Sequence, residues 1–166
     1  RDRSPSRGLG DVYKRQTPNR SDAMGHIGVA RDLLTVLNHR GSKLEMCRPT
    51  VDKFKVSNTS KSIAVEVKDN ELCPRYSGVS ISGVKVADSP EWIQNKLKAI
   101  SITPINNIVD ITNYVLHETG QPLHAFDIAK IEGEKVVVAP IKNKTKFTTL
   151  DDVERELSSD DLMISN

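Results

Sequence analysis

The stretch from Pro104 to Asp127, PINNIVDITNYVLHETGQPLHAFD, constrains this chain more than any other. Asn106, Asn107, Thr112, Asn113, Gln121 and His124 supply neutral hydrogen-bonding groups, interleaved with enough Ile, Val and Leu to pack on a core. A helix that only covers a core carries charges on its wet face, whereas amides, a hydroxyl and an imidazole are the groups of a polar pocket. Asn106 or Asn107 can cap a helix, because a short side-chain oxygen accepts from the first unpaired backbone N–H groups. Ile108, Ile111 and Val115 recur at spacings of three and four, which predicts one apolar stripe. Gly120 takes the left-handed stop position, so the helix is expected to end at Thr119. Pro122 then holds the chain extended, and the segment 123–126 returns beside the helix, with His124 able to face Thr112 or Asn113.

The remaining elements follow from period and punctuation. Ile27, Ala30, Leu34 and Leu37 have helical spacing up to about Asn38, behind a capped start over Thr17 to Asp22, and Gly41 stops this helix. Residues 42–62 are polar and rich in Ser and Thr, and read as a connector containing a domain boundary. Ile63, Val65 and Val67 alternate with Ala64, Glu66 and Lys68, the period of a strand with one buried face. A second alternation runs through Val79, Ile81, Val84 and Val86, with Gly78 and Gly83 allowing a bulge. Ser89, Pro90 and Glu91 read as a helix start, the serine as cap, with Ile93, Leu97 and Ile100 on its apolar side and Trp92 over the core edge. The runs 135–141, 145–150 and 162–164 read as short strands, with a turn at Asp151 and Asp152. The whole is an α+β fold, a mixed or antiparallel sheet with two or three helices packed on it.

Charge narrows the function classes. The chain carries a formal +2, yet residues 1–16 alone hold five Lys or Arg against two acids, which leaves the rest near −1. No broad basic face follows, so grip on a long nucleic-acid backbone by charge alone is not expected, and DNA is not an expected partner. Recognition of one RNA end stays open. Residues 1–16 read as a disordered leader foreign to the domain. Cys47 and Cys73 are too far apart for a CxxC site, and Cys73 reads as a small buried residue. No apolar run approaches a membrane span, and a cytoplasmic location is the default. The paired acids Asp151-Asp152 and Asp160-Asp161 read as solvated turns.

Taken together, the central stretch, Cys73-Pro74-Arg75-Tyr76, Ser80-Ile81-Ser82-Gly83-Val84 and Thr17 to Asp22 resemble the bacterial phenylalanyl-tRNA synthetase beta-subunit family. The likeness covers the linking helix and connector (17–62) and the N-terminal part of the tRNA-editing domain (63–166). It implies that His124, in Pro122-Leu123-His124-Ala125-Phe126-Asp127, and the adjacent Thr112 and Asn113 line the editing pocket. The implied reaction is hydrolysis of tyrosine wrongly esterified to tRNA(Phe). The implied partners are the tRNA(Phe) 3′ end and the alpha subunit of a heterotetramer. ATP and magnesium are used by the complete synthetase, and no cofactor is expected in this chain. In the family a tyrosine-reading Glu and a Gly-rich loop lie further along than Asn166, and Glu118, Glu132 and Glu134 do not match that Glu. About half of an editing site is therefore expected here. The alternative is a non-catalytic RNA-binding or structural module.

Overall fold

Local chemistry sets most of the element boundaries in the computed structural model, which describes residues 19–142, 144–149 and 152–166. The leader at 1–16, Thr17 and Asp151 lie outside the described residues. The chain divides into two compact units: the described part of Arg1–Thr50 together with Val86–Ala125, and Val51–Lys85 together with Phe126–Asn166.

The first unit is helical. After a 3₁₀ turn at Ser21–Ala23, α1 runs His26–His39, and Gly41 follows at φ +95, a conformation that favours glycine. The side chain of Asn38 then bonds both backbone groups of Leu44, at 2.9 and 3.0 Å, and folds the connector back onto α1. Helix α2 spans Glu91–Ala99 and buries Ile93 and Leu97. Helix α3 spans Asn107–Thr119 and packs against both α1 and α2. As the sequence predicts, Asn106 caps α3: its side-chain oxygen accepts from the N–H groups of Ile108 and Val109, and Gly120 closes the helix at φ +80.

Two expectations for this unit are corrected. The apolar stripe on α3 is not what anchors it, because Ile111 is 44% exposed while Asp110 is wholly buried. Nor does Ser89 cap α2: Pro90 occupies that position, and the serine hydroxyl is turned toward α3.

The second unit is built on a three-stranded mixed sheet in the order β1 (Ala64–Val67), β2 (Lys135–Pro140), β5 (Leu162–Ser165). Strands β1 and β2 are parallel, pairing Val67 with Val138, while β2 and β5 are antiparallel, pairing Val138 with Ile164. Val138, in the central strand, is fully buried, and with Val136 and Cys73 it forms a core covered by Ile63, Val67, Tyr76, Ile131 and Ile164. Cys73 is brought there by a local turn: the Asp69 carboxylate accepts from the N–H groups of Glu71 and Leu72, and the Asp69 carbonyl from that of Cys73. Burial in this core raises the Tyr76 phenol above its ordinary pKa.

A separate hairpin pairs β3 (Thr145–Thr148) with β4 (Glu154–Leu157), turning at Asp152 with φ +59. Strand β4 was not expected. Its sequence, Glu-Arg-Glu-Leu, has no apolar alternation, and it is held by the ladder and by Lys146 on Glu154 at 2.8 Å. Conversely, the alternating segment 79–86 forms no strand. Val79, Ile81, Val84 and Val86 are all exposed, and Gly83 turns the backbone at φ +74. Alternation alone does not make a strand, because a ladder needs a partner for its backbone groups. Both the observed α+β architecture and the mixed sheet agree with the reading from sequence.

Candidate functional site

The N-terminal end of α3 is a closely bonded polar region of the first unit. The Asp110 carboxylate accepts from the Ser89 hydroxyl at 2.5 Å through one oxygen and from the Ile105 N–H at 2.9 Å through the other. One position into the helix, Asn107 exchanges two bonds with Ala87: its N–H donates to the Ala87 carbonyl at 2.8 Å, and its side-chain oxygen accepts from the Ala87 N–H at 3.2 Å. A buried carboxylate is tolerated only when its oxygens are satisfied, and its place in the first turn adds the favourable field of the helix N-terminus.

The other end of α3 is held by α1. The Cα of Gly25 lies so close to the Gly120 backbone that a Cβ there would stand 2.6 Å from the Gly120 nitrogen. Next to it, the His26 ring donates from Nδ1 to the His117 carbonyl at 2.8 Å, and the His117 ring donates from Nδ1 to the Asn113 carbonyl at 2.9 Å. These carbonyl partners fix Nδ1 as the protonated nitrogen in both rings. On the α2 side, Trp92 meets the Tyr114 ring edge-on at 5.5 Å, Lys96 sits over that ring, and the Tyr114 hydroxyl donates to Glu118 at 3.0 Å.

Thr112 and Asn113 are half-buried on the middle of this doubly held helix, and His124 is exposed in the segment after Gly120. All three belong to the first unit. From Gly120 to His124 the chain can reach at most about 14 Å, and Thr112 lies about 12 Å up the helix from Gly120. The imidazole is thus within backbone reach of the level of Thr112. The Thr112 hydroxyl donates back to the Val109 carbonyl at 2.7 Å, so its proton is taken and its oxygen is left to accept. Asp110, His26 and His117 were not singled out from the sequence, and Ser89 was read there only as a helix cap. An acid beside apolar residues in the first turn of a helix was the only signal for Asp110.

A groove of about 640 Å³ lies elsewhere in this unit, along α1 and the connector, lined by residues that include Leu33, Leu34, Leu37, Leu44, Met46 and Pro49. Thr112, Asn113 and His124 do not line it. No group of three or more His, Cys, Asp or Glu able to hold a metal occurs among the described residues, and no described helix is long and apolar enough to cross a membrane.

An α+β chain with this helix and return segment is matched from residue 72 to residue 166 by the sequence profile of the B3/4 domain, and it belongs to that family. Over 150 residues, 90% of its length, it is 55% identical to the phenylalanine–tRNA ligase beta subunit of Bacteroides thetaiotaomicron. It is 53% identical over 89% of its length to that of Porphyromonas gingivalis, and 44% identical over 90% to that of Carboxydothermus hydrogenoformans. The chain spans 18% of the length of each of these relatives.

Proposed function

We propose that this chain is the part of a phenylalanine–tRNA ligase beta subunit that carries one wall of a deacylating site, which removes tyrosine from mischarged tRNA(Phe). The observation that carries the reading is the position of α3 and its return segment: they fall inside the B3/4 match and bring Thr112, Asn113 and His124 into one compact unit. An apolar pocket that selects phenylalanine rejects an added hydroxyl by only about 10²-fold, so a second, polar site has work to do. There, water adds to the ester carbonyl carbon and gives up its proton, the C–O bond to the ribose breaks, and the ribose oxygen takes a proton. Asn113 and His124 have N–H groups suited to the carbonyl oxygen as it becomes anionic. Thr112, with its proton committed to Val109, serves as an acceptor for the attacking water. An aminoacyl ester is already activated, so placement does much of what a nucleophilic triad would otherwise do.

In this reading the alpha subunit and the tRNA 3′ end are partners of the complete protein, and ATP and magnesium act at its charging site, away from these residues. The test is His124→Ala in the full-length beta subunit assembled with its alpha subunit. Release of tyrosine from tRNA(Phe) should slow on the order of 10²-fold, the cost of losing one donor to the oxyanion. Phenylalanine charging should persist. Deacylation at the unaltered rate would remove His124 from the chemistry. A second reading is a non-catalytic RNA-binding or structural module, in which the Thr112 hydroxyl serves only its helix through Val109. It predicts that this chain alone retards tRNA at moderate salt and hydrolyses nothing.

A further inference from the structure

We infer that Asp110, with Ser89 as its partner, is a positioning residue for the deacylating site: it sets the rotation of α3 and so aims Thr112 and Asn113. The inference rests on the deacylation reading above. Asp110 is wholly buried and Ser89 nearly so, and their 2.5 Å bond is in the short range of a hydroxyl on a carboxylate. The second oxygen of Asp110 takes the N–H of Ile105, just before the cap. One side chain therefore ties α3 both to the approach to α2 and to its own leading segment.

The geometry makes α3 sensitive to this tie. At 3.6 residues per turn Thr112 lies about 160° around the axis from Asp110 and Asn113 about 60° away on the same side. A side-chain tip about 5–6 Å from the axis moves roughly 1 Å for each 10° that the helix turns. A 1 Å misplacement at a reacting centre can cost about 10²-fold in rate. The Asn106 cap and Gly120 fix where the helix starts and stops, Asn107 on Ala87 and the His117 carbonyl on His26 hold it from outside, and Asp110 is the wholly buried side chain that ties its rotation. One acceptor is obligatory at position 110, because the Ile105 N–H can only donate. An Asn can still serve it, provided that the Ser89 hydroxyl reverses and accepts from the Asn amide.

The test uses the full-length beta subunit with its alpha subunit, carrying Ser89→Ala, Asp110→Asn, Asp110→Ala or His124→Ala. Single-turnover tyrosine release is followed against substrate concentration, with phenylalanine charging and thermal melting alongside. Ser89→Ala should lower the maximal rate about 10-fold with little change in half-saturation, Asp110→Ala further, and Asp110→Asn should recover most of the loss. If Ser89→Ala and Asp110→Ala melt earlier yet release tyrosine at the unaltered maximal rate, Asp110 only supports the fold and the inference is overturned. If His124→Ala is slow and Ser89→Ala is not, the positioning role alone falls. If His124→Ala is also unimpaired, the deacylation reading falls and this inference goes with it.

Discussion

Replacing Gly25 by Ala isolates what the contact between α1 and α3 contributes. Gly25 has φ −118, which any residue adopts, so the substitution brings no backbone strain of its own. In the folded state its effect begins as a steric one. The new Cβ would stand 2.6 Å from the Gly120 nitrogen and 2.7 Å from the Thr119 carbonyl carbon, where ordinary contact begins at 3.4 Å, and both neighbours are backbone. The two helices must part by about 0.8 Å, the difference between those limits. Overpacking of this kind costs about 1–3 kcal/mol. Weakening the bond from His26 to the His117 carbonyl adds about 1 kcal/mol. Against this, Gly→Ala restricts the unfolded chain and returns about 0.4–1 kcal/mol. The net is a destabilisation of about 2 kcal/mol, or about 4–8 °C in the transition that melts α1 and α3, at about 2–4 °C per kcal/mol for a chain of this size. Hydrogen exchange should quicken in the last turn of α3. Gly78→Ala is the control: a Cβ there meets nothing within 4 Å and φ is not left-handed, so melting should be unchanged or slightly raised. A Gly25→Ala protein that melts with the parent and keeps its exchange pattern would refute the reasoning.

Val138→Ala removes two methyl-sized groups from a fully buried position in the central strand. At about 0.8 kcal/mol per group, plus a cavity term, the loss should be about 2–3 kcal/mol, read by denaturant titration of the sheet, and a loss under about 0.5 kcal/mol would contradict its place in the core. For pH, the side-chain bond from Arg20 at 2.9 Å is the chief cause that holds the Asp22 carboxyl below the usual carboxylate range. Because the folded value is depressed, this pair's contribution is present above the unfolded pKa of about 3.9 and is lost as pH falls through the lower folded value. Arg20→Ala should move the Asp22 carboxyl titration upward by NMR, and an unmoved midpoint would show that the bond is not formed in solution.

The sequence by itself determined where α3 begins and ends, where α1 and α2 lie, and where β1, β2, β3 and β5 fall. Those features depend on bonds and dihedral preferences within a few residues: the Asn106 oxygen reaches N–H groups two and three positions on, and Gly120 takes its left-handed turn without outside help. Only the tertiary structure decided which side of α3 is buried, what Ser89 does, and whether 79–86 becomes a strand. The partners that settle these matters are remote: Ser89 and Asp110 are 21 residues apart, and His26 and His117 are 91 apart. Strand β4 shows the same thing from the other direction, a charged segment with no strand signal that pairs because β3 lies alongside it. Residue types and spacing propose the groups of a site, and burial and backbone pairing, which depend on what the rest of the chain brings near, decide which of them are held and which way they face.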